Sequence, residues 1–144
     1  MTSITPFLWF DHKLPEVVAF YSSVFPNAKV ELVNDFMAVF DLEGQRFNAF
    51  NGGPLYKFTE AVSFFINVES QAEIDHFWNR LTEGGEESRC GWLKDRFGLS
   101  WQVAPTILNR YLSDPDRVKA GRAREAMMKM RKIVIADLDA AYAG

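Results

Sequence analysis

The sequence predicts an α+β fold of two βαβββ modules, forming a curved mixed sheet around a cavity, with a C-terminal helical tail. Two observations carry this expectation. The order β-α-β-β-β is legible twice, offset by roughly 55 residues. From Pro105 onward, short strand-like runs give way to helical spacing. A chain of 144 residues, 48% hydrophobic and 15% aromatic, has enough apolar material for one packed domain. The expected bounds are about 3–54 for the first module, 60–104 for the second and 105–144 for the tail.

The first strand is the aromatic run "ITPFLWF", with Pro6 tolerable near a strand start. In "KLPEVVAFYSSVFPN", Leu14, Val17, Val18, Tyr21 and Phe25 recur at helical spacing, Pro15 suits a first turn, and Pro26-Asn27 ends the helix. Three short runs follow, "AKVELVND", "FMAVFDLEG" and "QRFNAFNGG", with Glu43-Gly44 joining the last two as a hairpin. "AVSFFINV" opens the second module. "SQAEIDHFWNRLTEGG" is its helix: Ser70 caps it with Glu73 three residues on, Ile74, Phe77, Trp78 and Leu81 share a face, and Gly84-Gly85 stops it. "EESRCGWLKDRFGLSWQVAP" supplies the remaining strands. In the tail, "TILNRYLSD" and "DRVKAGRAREAMMKM" read as helices, and "KIVIADLDAAYAG" starts like a strand and continues as a helix. A tail this apolar is expected to pack on the domain or on a second subunit.

The formal charge of −3 speaks against a general nucleic-acid or anionic-membrane binder, despite basic residues along the tail from Arg117 to Lys132. A single cysteine forms no internal disulfide, and with two histidines it makes a poor structural zinc site. The N-terminus lacks a basic region before its short apolar run, and no window approaches a membrane span. The expected location is the cytoplasm.

The segments "FNGGP" (50–54), "AVSFFINVESQAEIDHFW" (61–78), "LTEGGEESRCGWLKDRFGLSWQVAP" (81–105) and "MKMRKIVIADLDAAYAG" (128–144) resemble the PhnB-like proteins. These form a branch of the vicinal-oxygen-chelate superfamily, with glyoxalase I, extradiol dioxygenases and the bleomycin- and fosfomycin-resistance proteins. The resemblance spans nearly the whole chain and implies two βαβββ modules around a cavity, commonly in a homodimer. It also implies a divalent metal held by inward His, Glu or Gln side chains, where it would polarise vicinal substrate oxygens. The positions that match those ligands are Pro6, then Ala61 or Ser63, and Gln102. Proline has no donor atom, Ala61 and Ser63 are poor ligands, and a lone amide oxygen binds weakly. His12, in a β–α turn, and His76, mid-helix, do not restore a set. No metal and no cofactor are therefore expected. The branch is often labelled 3-demethylubiquinone 3-methyltransferase, but Gly52-Gly53-Pro54 closes a run of strands and reads as a turn, not as the glycine-rich βα turn of an adenosylmethionine site.

If Gln102 points inward, strand alternation nominates a pocket wall. Ser100 and Gln102 then face the cavity with Trp101 beneath a helix. The same phase puts Leu8 and Phe10 inward with Phe7 and Trp9 in the core, and turns Ala61, Ser63 and Phe65 inward. Trp92 offers an aromatic platform. Asn48 and Asn51 have opposite parity, so one at most belongs to the wall, and Asn51 can also cap the glycine turn. The predicted ligand-binding set is Leu8, Phe10, Asn51, Ser63, Phe65, Trp92, Ser100 and Gln102. An aromatic wall with a few neutral polar groups suits a small apolar or aromatic molecule with one polar handle. Cys90 has no evident activating neighbour and reads as a packing thiol. The expected function is a small-molecule-binding protein without the superfamily's metal ligands. The alternative is a metal-dependent lyase, isomerase or dioxygenase using Gln102 with Glu60 or Glu43. No nucleic acid and no membrane are expected partners.

Overall fold

A computed structural model describes all residues, 1–144. The elements run β1 (Phe7–Phe10), α1 (Leu14–Val24), β2 (Lys29–Val33), β3 (Met37–Leu42), β4 (Gln45–Asn51), β5 (Phe64–Val68), α2 (Gln71–Thr82), β6 (Glu86–Glu87), β7 (Trp92–Lys94), β8 (Ser100–Pro105), α3 (Thr106–Leu112), α4 (Arg117–Met128) and α5 (Ile135–Ala143). The predicted βαβββ order thus occurs twice, ahead of a helical tail. The chain divides into two compact units, Met1–Phe58 and Thr59–Gly144.

In the first unit the sheet order is β1-β4-β3-β2, with β1 parallel to β4 and the other pairs antiparallel. Pro15 sits in the first turn of α1, and Leu14, Val17, Val18 and Tyr21 are buried as their spacing predicts. Tyr21 stacks 6.3 Å from Phe40, which stacks 5.6 Å from Phe47, so α1 covers the sheet face that carries those rings. Each such buried side chain is worth about 1.5–3 kcal/mol. The β3–β4 hairpin turns on Glu43 and Gly44, both at positive φ (49° and 85°), a turn whose twist matches that of the strands.

This unit corrects the predicted phase of β1. Leu8 pairs with Ala49 and is buried, and Phe10 is buried within 6.4 Å of the Tyr21 ring, so both face α1. Phe7 and Trp9 lie on the opposite face. There Phe50 meets Phe7 at 5.5 Å and Trp9 at 4.8 Å, and Tyr56 meets Trp9 at 4.9 Å.

The second unit repeats the plan with order β5-β8-β7-β6, β5 running parallel to β8. Ser70 Oγ accepts from the Glu73 amide at 3.2 Å, and the Glu73 carboxylate accepts from the Glu69 amide, one residue earlier than in a standard capping box. Ile74, Phe77, Trp78 and Leu81 are buried, and Trp78 Nε1 donates from α2 to Glu87 on the edge strand β6. The tail belongs to this unit. Cys90 and Gly91 donate backbone bonds to the Met130 and Arg131 carbonyls, and Gln71 bonds both Ile133 O and the Ile135 amide. The strand-like start of "KIVI" is therefore no strand: it is an extended connection tied to a turn and a side chain, with Ile133 fully buried. No helix is long and apolar enough to cross a membrane.

Candidate functional site

The sheet face of the second unit opposite α2 gathers most of the predicted pocket residues. Register pairs Phe64 with Trp101 and Phe65 with Gln102, and sets Trp92 beside Gln102, Leu93 beside Trp101 and Lys94 beside Ser100. Paired residues share a face. Trp101 and Leu93 are buried beneath α2, so Phe65, Trp92, Lys94, Ser100 and Gln102 line the other side. Ser63, just before β5, joins them: Gln102 Nε2 donates to its Oγ at 2.9 Å. That bond fixes the amide and leaves Gln102 Oε1 as the free acceptor. Phe65 is 41% exposed, an apolar surface adjoining this polar pair.

Ser100 is only 1% exposed, yet its Oγ has no hydrogen-bond partner, the one buried side-chain polar atom so left. It borders a cleft of about 150 Å³ walled by Trp92, Lys94, Glu60, Glu86 and Ser88. Lys94 forms an ion pair with Glu60. The bond to Glu60 raises the Lys94 pKa above its ordinary value against the opposing effect of burial, and the same bond lowers that of Glu60. Lys94 therefore stays protonated at neutral pH and cannot serve as the base that would activate Ser100 as a nucleophile. The chemistry available on this face is binding and orientation.

The neighbouring turn is architectural. Asp95, 2% exposed, accepts from the Phe97 and Leu99 amides through Oδ1 and from Trp101 Nε1 through Oδ2. Arg96 reaches Glu83 at 3.8 Å.

The remaining candidates lie elsewhere. Leu8 and Phe10 are beneath α1, in the first unit's core. Asn51 is exposed at the end of β4, and its Oδ1 accepts from the Gly53 amide at 3.4 Å, the turn-capping alternative. Asn48 lies on the same face as Phe50. Cys90 is half-buried in the turn before β7 at φ 60°, held through its backbone to the tail. His12 is exposed, and His76 lies 4.9 Å from the Phe77 ring. The sequence does not single out the Phe7–Trp9–Phe50–Tyr56 cluster or the Glu60–Lys94 pair with Glu86.

The residues present do not fit the superfamily metal. No three His, Cys, Asp or Glu side chains converge. Pro6 contributes only its carbonyl, which accepts from the Asn48 amide, and the Ser63 hydroxyl is engaged by Gln102. The carboxylates of the atypical set are committed as well, Glu60 to Lys94 and Glu43 to the Asn27 amide and Nδ2. Adenosylmethionine fares no better. The glycine turn packs on Trp9, whose Nε1 donates to Gly53 O, and a Cβ on Gly52 would stand 2.3 Å from that indole. No helix starts there, and neither sheet is a doubly wound parallel one.

The profile of the 3-demethylubiquinone-9 3-methyltransferase family matches residues 2–104. The chain belongs to this PhnB-like family. Among solved structures, this PhnB-like chain is similar to a Bacillus cereus PhnB protein described as a putative 3-demethylubiquinone-9 3-methyltransferase. The identity is 27% and the TM-score 0.66, covering 73% of this chain and all of that one. A Pseudomonas aeruginosa protein shares the fold at 21% identity and TM-score 0.63, with 73% and 98% of the two chains covered. So does the Listeria monocytogenes fosfomycin resistance protein FosX, solved with Mn(II) and sulfate, at 18% identity and TM-score 0.57, covering 77% and 98%. No curated protein matches the chain significantly. The fold is thus that of the vicinal-oxygen-chelate proteins, and the family match ends at residue 104, within β8 and ahead of the helical tail.

Proposed function

We propose that this PhnB-like chain is a small-molecule-binding protein that works without the metal ligands usual in its superfamily. Its ligand is a small apolar or aromatic compound with one polar handle. The observation that supports this is the α2-free face of the second unit, where the oriented Gln102–Ser63 pair and the partnerless Ser100 hydroxyl lie beside Phe65 and Trp92. Apolar surface supplies affinity, and a few fixed polar atoms supply orientation. As the resemblance implies, the protein acts as a homodimer.

A panel of small aromatic alcohols, phenols, amines and acids, titrated by calorimetry and tryptophan fluorescence, tests the reading. At least one class is expected to bind, with affinity falling about tenfold or more in Trp92→Ala and Gln102→Ala. Binding that both variants leave intact, or no binding by any class, overturns it. Titration with Mn, Fe, Co, Ni and Zn tests the metal-free part: one tight equivalent lost in Gln102→Ala would replace it with the atypical metal site. Light scattering should give twice the 16.5 kDa chain mass.

A further inference from the structure

We propose that the polar handle of the ligand is a protonated amine, seated between Glu86, Trp92 and the buried Ser100 hydroxyl. The inference rests on reading the α2-free face as a ligand surface and specifies the chemistry of one end of it. Ser100 supplies the first observation. A buried hydroxyl without a partner is costly, and this one borders a cleft of about 150 Å³, roomy enough for a small polar group.

The charges around it select the entrant. Glu86 pairs with Lys94 across β6 and β7, so it stands on the Ser100 side of the sheet, where its carboxylate lies in the field of the Lys94 ammonium but forms no hydrogen bond or close ion pair with it, Lys94 being bound to Glu60. Lys94 is already neutralised by Glu60. Three glutamates and one lysine line the cleft; Glu87 is engaged by Trp78 and Arg131, so Glu60, Glu86 and Lys94 leave one net negative charge. An anion would meet two carboxylates and an occupied lysine. A divalent metal would meet too few converging oxygens. A monovalent ammonium has what it needs: a charge partner in Glu86, a lone pair on Ser100 Oγ, and the Trp92 indole in the wall, whose face attracts cations.

Three ligands with one phenyl ring separate the possibilities: benzylamine, benzyl alcohol and benzoate, titrated at neutral pH against wild type, Glu86→Gln, Ser100→Ala and Trp92→Ala. The expected result is that benzylamine binds at least about tenfold more tightly than the alcohol, and benzoate most weakly. Glu86→Gln should abolish that preference while leaving the alcohol unchanged. Ser100→Ala should weaken the amine without lowering the melting temperature, since the deleted hydroxyl has no protein partner to lose. Equal binding of all three, weakened by Trp92→Ala, would overturn the ammonium handle and leave the pocket standing. The ammonium handle falls equally if Ser100→Ala destabilises the free protein, because the hydroxyl would then already be engaged. No binding by these three or by the wider aromatic panel would overturn both.

Discussion

Replacing Asp95 by alanine is expected to cost about 3–5 kcal/mol, a large part of the roughly 5–15 kcal/mol that holds a typical domain folded. The figure follows from three acceptor contacts of its carboxylate. Phe97 and Leu99 donate backbone N–H groups to Oδ1 at 2.9 and 3.1 Å, and Trp101 donates its indole N–H to Oδ2 at 2.9 Å. A bond to a charged acceptor is worth about 1.5–3 kcal/mol, but three bonds to one group do not add fully. Alanine removes the carboxylate that the buried Leu99 amide and the Trp101 indole N–H donate to. Asparagine should cost less, because its oxygen can still take both amides, although its NH₂ then faces the indole N–H, donor against donor. Trp101→Phe removes that second donor, so the double variant with Asp95→Asn should be more stable than the two single losses predict. Urea unfolding followed by far-UV circular dichroism measures the four variants against wild type, and a shifted midpoint with unchanged slope identifies a stability effect. An Asp95→Ala cost below about 1 kcal/mol, or full additivity between Asp95→Asn and Trp101→Phe, would refute the assignment of Asp95 as the tie between the β7–β8 turn and the core.

Two further outcomes follow from local geometry. Gly85→Ala puts a Cβ 2.1 Å from the Lys94 carbonyl oxygen and should destabilise by about 2–3 kcal/mol in thermal melts. Gly98→Ala, at φ 87° with nothing within 4 Å, should cost only the roughly 1–2 kcal/mol of a left-handed residue. In the tail, Tyr111 and Tyr142 stack 3.9 Å apart and donate to Asp139 and Asp114 respectively. Those bonds raise both phenol pKa values and lower that of Asp114. The contribution of the phenols is present below the ordinary phenol value of about 10 and lost as pH rises through the raised values. That of Asp114 is present above the ordinary carboxylate value of about 3.9 and lost as pH falls through the lowered one. Melting temperatures should therefore be level between these limits and fall beyond them. Tyr111→Phe/Tyr142→Phe should flatten the alkaline fall, and an unchanged fall in that variant would contradict the assignment.

The helices are legible in the sequence because their apolar residues repeat with one period and their ends carry chemistry, as at Ser70-x-x-Glu73 and Pro15. The phase of β1 is not. Phe7-Leu8-Trp9-Phe10 is apolar at every position, so alternation has nothing to lock onto, and only analogy with a strand of the other module can assign its inward face. The structure decides it through β4, where Ala49 is small and buried against Leu8 while Phe50 carries its ring to the other side. The stretch at 131–134 misleads for a related reason. β-branched residues favour extended backbone, but a strand also needs a partner strand, and here Cys90, Gly91 and Gln71 take those backbone groups instead.

The candidate site divides along the same line. Ser63, Phe65, Ser100 and Gln102 share a face through strand alternation and the Phe65–Gln102 pairing, so their common parity is legible in the sequence once Gln102 is set inward. The grouping of Glu60, Glu86 and Lys94 is not, since their proximity depends on the β6–β7–β8 register and on a loop that returns to it. Within residues 90–105 the two kinds of information meet. Asp95 looks like part of a charged cluster in sequence, yet its carboxylate accepts three bonds from its own turn and from Trp101. Ser100 looks ordinary in sequence, yet it is the one buried side chain whose polar atom goes unmatched. A fold that satisfies a buried carboxylate three times over while leaving a hydroxyl five residues away without a partner is not short of hydrogen-bonding capacity there. Local departures from full satisfaction concentrate at functional sites, and on this face the departure opens onto a negatively charged cleft beside an aromatic wall.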